Sequence, residues 1–399
     1  MPRPFALSKN AFKGAWIQGR RGLITMFLFL FDPVMLFSIL IAYVLGMLVM
    51  FVAAQSIAPR VARRVSGKLS LRASMALLGL VIVVGGLAGV LVLLAILGWL
   101  TNPYAVSGAA LYVLIVILLM NGVIYLISPW IINLSYGARH DPELQRMVDE
   151  IAKRSGLSKP PKAVVVNGPP NAFAYGNFLA GRWVAVSSEM LRMARKDELE
   201  AVIGHELGHH RHSDNAVMLF MGLIPSFLYY LGLMLIQSSF YYSAMSSENR
   251  RGGGGIFFML TGVAAIVLSF VIQILVLAFS RLREYYADAH GASVTSPTSM
   301  QRALARLHVY YRYDESAASE VAQSKLRALF IYAFTEAVAN PFYRRAPSPS
   351  AVRDVDIDEV VERLKKVEAS EPGEFLSSHP PIPKRIRFLE DLKTLRERY

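Results

Sequence analysis

Cysteine is absent from all 399 positions, which excludes disulfides, thiolate nucleophiles and cysteine-ligated metals together. Any transition-metal site must therefore be built from histidine and carboxylate. Charge is scarce too: 18% of residues are charged and 54% hydrophobic, whereas soluble domains run to about a quarter charged. Acidic residues number 29 against 42 Lys and Arg, a net charge of +13. A basic excess alone would suit nucleic acid, but here the basic residues flank apolar runs, as in a membrane protein with cytoplasmic loops. No nucleic acid partner is expected; the lipid bilayer is. The N-terminus also lacks a short apolar core followed by a small-residue cleavage site, so no cleavable signal peptide is expected.

Five apolar stretches reach the roughly 20 residues that cross a hydrocarbon core as a helix. They run over about 34–56, 73–98, 107–128, 216–241 and 256–279. Leu23 to Phe31 is apolar as well but is broken by Asp32 and Pro33, where a segment break is the simpler reading of the acid. Arg60, Arg63, Arg64, Lys68 and Arg72 place the linker 57–72 inside. Counting spans from there puts 99–106 outside, 129–215 inside, 242–255 outside and 280–399 inside. Arg250 and Arg251 run against this rule, and the course of residues 1–56 stays open.

Between the spans, Asp141-Pro142 predicts a capped helix start, with Leu144, Met147, Val148 and Ile151 on one face and Gly156 as its stop. Ala163 to Val166 reads as a strand. Phe173–Tyr175 and Trp183–Val186 read as a hairpin turning at Gly181-Arg182. Lys196 to His212 is helical, and further helices are expected near 299–312, 322–338, 357–368 and 383–397.

The string His205-Glu206-Leu207-Gly208-His209 carries the chemistry. Positions four apart share a helix face, so both imidazoles reach one ion with Glu206 alongside. Catalytic zinc takes three protein ligands and leaves one position for water, whose pKa it lowers to about 7. The intervening glutamate is then the general base. Glu284 is the third-ligand candidate, because Glu284 and Asp288 are four apart on a predicted helix. One carboxylate binds metal while the other holds a ligand histidine by its free N–H. Six residues separate His209 from position 216, and four separate position 279 from Glu284. Both ligand groups thus fall near membrane-embedded helix ends on the same side.

Other polar residues have simpler readings. His210 and His212 point off the 205/209 face and are taken as solvent or headgroup contacts. Asp214 either supports the site or marks a helix end. His140, His290 and His308 are structural.

Four ordered motifs together resemble the HtpX family of membrane-bound zinc endopeptidases, which is akin to the CAAX prenyl proteases. They are His205-Glu-Leu-Gly-His209, Asn171-Ala-Phe-Ala-Tyr-Gly176, Ser280-Arg-Leu-Arg-Glu284-Tyr-Tyr-Ala-Asp288 and His379-Pro-Pro-Ile-Pro-Lys-Arg385-Ile386. The resemblance runs from about Asp141 to Leu392. Upstream, three or more spans stand where the family usually has two. The resemblance implies one zinc per chain on His205, His209 and Glu284, with Asp288 bonded to a ligand histidine. It also implies substrate pairing along the strand after Asn171, and it brings His379 and Arg385 to the site. Arg385 then serves either the developing oxyanion or a carboxylate clamp. Cleavage of membrane or misfolded proteins in envelope quality control follows as the expected activity. The alternatives are a CAAX-type prenyl protease and a non-catalytic membrane scaffold with structural zinc.

The fold expected is a transmembrane helical bundle carrying a cytoplasmic α+β gluzincin-like domain. Residues 1–128 form the N-terminal membrane region and 129–215 the zinc protease subdomain. Residues 216–280 form a transmembrane hairpin, and 281–399 the third-ligand helix with the C-terminal helical part.

Overall fold

A computed structural model of the chain describes residues 71–100, 103–245, 253–313, 352, 355–367 and 378–397. The span expected at 34–56, the run Leu23–Phe31 and the helix expected at 322–338 lie outside the described residues. What is described is mostly helical, with one small mixed sheet.

Four of the helices are long and apolar enough to cross a membrane: α1 (Leu71–Leu100), α2 (Pro103–Ser135), α6 (Asp214–Met245) and α7 (Gly253–Val294). Their lengths follow from near-continuous apolar sequence without helix breakers, apart from Pro129 in α2 and Pro225 in α6. α1 and α2 leave many large apolar side chains uncovered, among them Leu91, Val92, Leu118 and Leu119. A surface of that kind is stable only against lipid or another apolar partner. α6 and α7 pack against each other through Gly232 and Gly262. A Cβ on either glycine would come within 2.7 Å of the other's carbonyl oxygen, so the absence of side chains permits this crossing.

The part outside the four long apolar helices is built around α5 (Lys196–Arg211). α3 (Pro142–Arg154) starts where Asp141 Oδ1 accepts the N–H groups of Glu143 and Leu144, each at 2.9 Å. It ends before Gly156, whose φ of 69° lies in the left-handed region that glycine tolerates. β1 (Arg139–His140), β2 (Lys162–Val166), β3 (Ala172–Asn177) and β4 (Gly181–Ser187) form a sheet in the order β1-β2-β4-β3. β2 runs parallel to β4, and β3 pairs antiparallel with it on the outer edge. A short helix, α4 (Ser188–Met193), leads into α5, while α8 (Pro297–Tyr313), α9 (Ile357–Lys365) and α10 (Ile382–Glu397) cover the far side. Leu144 and Ile151 of α3, Val184 and Val186 of β4, Ile203 and Leu207 of α5, Leu304 of α8 and Leu389 of α10 share one buried core.

The hairpin turn is not at Gly181-Arg182. Asn177 pairs with Gly181, so the reversal is Phe178-Leu179-Ala180. Asn177 supplies the turn chemistry: its Oδ1 accepts the N–H of Leu179 (2.9 Å) and of Ala180 (2.8 Å). Gly181 does take a positive φ of 81°, but as the first residue of β4.

Candidate metal centre

His205 and His209 lie one turn apart near the C-terminal end of α5, and α7 crosses that helix at the same level. The crossing is close because glycines meet there. A Cβ at Gly204 would sit 2.5 Å from Val294 Cγ2, and one at Gly291 would sit 2.8 Å from the Ala201 carbonyl oxygen. α7 continues without a break from its apolar stretch through Glu284 and Asp288, so the same 42-residue helix carries both.

His205 Nε2 and His209 Nε2 are 3.2 Å apart. Glu284 Oε2 lies 3.6 Å from the first, and Oε1 lies 3.6 Å from the second. For a tetrahedral ion with bonds of about 2.0–2.1 Å, ligand atoms stand roughly 3.3–3.4 Å apart. The ring protons point the same way. His209 Nδ1–H donates to Asp214 Oδ2 (2.6 Å), and His205 Nδ1 makes a bent contact of 2.9 Å with Asp288 Oδ1. With those ring protons on the Nδ1 side, both Nε2 lone pairs converge beside a carboxylate, an arrangement that a bound cation stabilises. The donor set and its spacing fit zinc.

Each anchoring carboxylate is held in turn. Asp288 is fully buried and clamped in two-pronged fashion by Arg385, Nε to Oδ2 at 2.7 Å and Nη2 to Oδ1 at 2.6 Å. Arg385 Nη1 lies 3.6 Å from Glu284 Oε2, and His379 Nδ1 lies 2.9 Å from the same oxygen. Asp214 accepts from Arg283 Nη2 at 2.7 Å. The motif reading gave Arg283 no role. Its partner Asp214 lies on another helix, outside any local spacing. The usable signal was an arginine on a face that packs inward, where burial demands a carboxylate.

Glu206 is buried beside the ligand pair. Burial pushes its carboxyl up to about 7; Glu284 adds to the rise, while His209 and the Ala174 N–H oppose it. Ala174 belongs to the outer strand. In the β3–β4 register Phe173 and Tyr175 face their partners Ala185 and Trp183 as hydrogen-bonded pairs, continuing the bond from Ser187 N–H to the Asn171 carbonyl. Ala172, Ala174 and Gly176 consequently turn their backbone groups to the open edge. The Ala174 N–H is on the side of Glu206 and lowers its pKa, and the Ala174 carbonyl lies 3.5 Å from the Asn215 amide. Asn171, exposed, stands at the head of this strand, its own N–H on Ser187 Oγ (3.0 Å).

His210 corrects the sequence expectation. It is buried, not a solvent contact, and its Nε2–H donates to the Trp183 carbonyl at 2.8 Å. Burial lowers its pKa to about 4. The polar run His209-His210-Arg211-His212 suggests an exposed helix end, but α5 is flanked by the sheet on one face and α7 on the other. His212 is part-buried, with Nδ1 on the Gly208 carbonyl (2.8 Å) and its ring edge-on to Tyr286 at 4.4 Å between centroids.

The chain is similar to known proteins. A family model described as Peptidase family M48 matches residues 138–393. A protease HtpX homolog of Archaeoglobus fulgidus is 48% identical over 368 residues, 92% of this chain and 99% of that protein. One from Pyrobaculum calidifontis is 49% identical over 364 residues, covering 91% of this chain and 98% of the relative. The likeness therefore extends well upstream of the four motifs. The crystal structure of S. mikatae Ste24p aligns with a TM-score of 0.43 at 17% identity, over 78% of this chain and 64% of that one, so this chain spans less than two thirds of its length. With a family model over most of the chain and relatives nearly half identical along almost all of it, the chain belongs to peptidase family M48 and, within it, to the HtpX membrane metalloproteases.

Proposed function

We propose that this protein is a gluzincin-type zinc endopeptidase that hydrolyses membrane or misfolded proteins on the cytoplasmic face of the membrane, as part of quality control. The observation that carries the reading is the convergence of His205 Nε2, His209 Nε2 and the Glu284 carboxylate at 3.2–3.6 Å. When bound there, zinc supplies Lewis-acid polarisation of a water and of the substrate carbonyl. The chain's own groups do the rest. Glu206 takes a proton from the attacking water and delivers it to the departing amide nitrogen. Asp214 and Asp288 keep the two imidazoles in the tautomer and orientation that ligation needs.

An extended substrate fits along the outer edge of β3, where strand addition uses main-chain hydrogen bonds and tolerates many side chains. The Ala174 N–H, on the side of the strand toward Glu206, marks where that edge meets the reacting groups. Asn171 is assigned to position the substrate at the head of the edge. His379, half exposed, lies at the rim of the site over Glu284.

The test is Glu206→Gln in the purified full-length protein. It should keep its zinc content and lose cleavage of an unfolded test protein. Chelator-sensitive activity close to the wild type would remove Glu206 from its assigned role.

A further inference from the structure

We infer that the β3–β4 hairpin tip, Phe178-Leu179-Ala180, is a second membrane-contact element, inserted among the lipids that surround α2. The two large apolar side chains at this tip are mostly uncovered: Phe178 is 78% exposed and Leu179 62%. Two such residues side by side on a water-facing turn are unusual, because turns are ordinarily built from small and polar residues.

Several independent features put the tip at membrane depth. Pro129 has no N–H to give to the carbonyl of Tyr125, four residues earlier in α2. That carbonyl instead accepts from Ser128 Oγ (3.0 Å) and from Asn177 Nδ2 (2.8 Å), and Asn177 also reaches the Leu126 carbonyl at 2.8 Å. The hairpin is thus bonded to the backbone of a candidate span that runs from Ala110 to Ser135. Phe178 continues the contact, its ring centroid 6.5 Å from that of Tyr125. Trp130, also exposed, lies five positions closer to the metal-centre end of α2, about 7–8 Å along the axis. If an exposed tryptophan marks the headgroup layer, the tip lies on its hydrocarbon side.

The tip is also furnished for a water-poor setting, where unsatisfied backbone groups are costly. The Leu179 and Ala180 N–H groups go to Asn177 Oδ1, and the Ala180 carbonyl accepts from Trp183 Nε1 at 3.0 Å. Cations lie where headgroups would be: Arg182 is exposed, and Lys162 Nζ sits 4.7 Å over the Trp183 ring. Strand β3 would then run from the bilayer to the metal centre. A substrate segment leaving the lipid would meet its open edge directly.

The proposal rests on α2 being a membrane span, and the experiment separates the two. The chain has no cysteine of its own, so single labels are clean. Full-length Phe178→Cys, Leu179→Cys, Leu119→Cys and Lys159→Cys variants are labelled with a bimane fluorophore and reconstituted in phosphatidylcholine–phosphatidylglycerol vesicles with or without doxyl-labelled lipid. Labels at 178 and 179 should be quenched as strongly as the label on α2 at 119, and several-fold more than the one at the exposed position 159. Quenching at 119 without quenching at 178 and 179 overturns the inserted tip. Absence of quenching at 119 overturns the span, and the tip with it.

Discussion

His205 and His209 each commit one ring nitrogen to a buried carboxylate, and each carboxylate is held by an arginine from elsewhere in the chain. Asp288 is the more demanding case, because it is fully buried and its charge is matched by Arg385. Removing one partner of a buried ion pair costs about 3–5 kcal/mol, since the other charge is stranded. Asp288→Ala should therefore lower both melting temperature and zinc affinity, the latter by about 10–100-fold as losses behind a metal ligand do. Asn171→Ala should behave oppositely, keeping zinc and melting temperature while losing much of kcat/KM, because it touches neither metal nor core. Metal analysis and melting measured in parallel check the pair. Full zinc in Asp288→Ala, or a fall in stability in Asn171→Ala, would contradict these roles. Much of this was legible in the sequence, because i,i+4 spacing puts His205 with His209 and Glu284 with Asp288 whatever the tertiary fold. The link from Asp214 to Arg283 was not, since it joins two helices and follows no local period.

α5 and α7 meet through glycine, and that contact sets the distance between the histidines and Glu284. A Cβ at Gly291 would lie 2.8 Å from the Ala201 carbonyl oxygen and 3.1 Å from the His205 nitrogen, both backbone atoms that cannot swing aside. Gly291→Ala should therefore push the helices apart, at a cost of about 1–3 kcal/mol for an overpacked site, and zinc content should fall with melting temperature. Gly222→Ala in α6 is the control. A Cβ there meets nothing within 4 Å, and alanine favours the helix by about 1 kcal/mol over glycine. Equal zinc retention in both variants would show that the crossing has slack. At this scale the sequence announced the elements better than their joints. Asp141, Pro142 and Gly156 bound α3 by local chemistry, and the apolar runs marked four of the spans. The hairpin turn was misplaced by three residues because Gly181 looks like a turn glycine, while the reversal is made by the side chain of Asn177, four positions before that glycine. His210 was misread because the cover on α5 comes from the sheet and α7, which no window on that helix contains.

On the scale of the molecule, one long helix carries both a stretch apolar enough to cross a bilayer and Glu284, so the candidate metal centre lies close to the end of that stretch. The basic linker 57–72 sets the expected side. A single cysteine at the exposed Lys159 should resist an impermeant thiol reagent in intact cells and react after lysis. Labelling in intact cells would move the active site, and its substrates, to the other face. The account as a whole stands on the metal, and zinc K-edge X-ray absorption of the purified full-length chain reads it most directly. With no cysteine in the chain, the account predicts one zinc per chain with only nitrogen and oxygen neighbours at about 2.0–2.2 Å, two of them imidazole and lost together in His205→Ala. Zinc below stoichiometry after gentle purification, or an imidazole signal unchanged in His205→Ala, would contradict it.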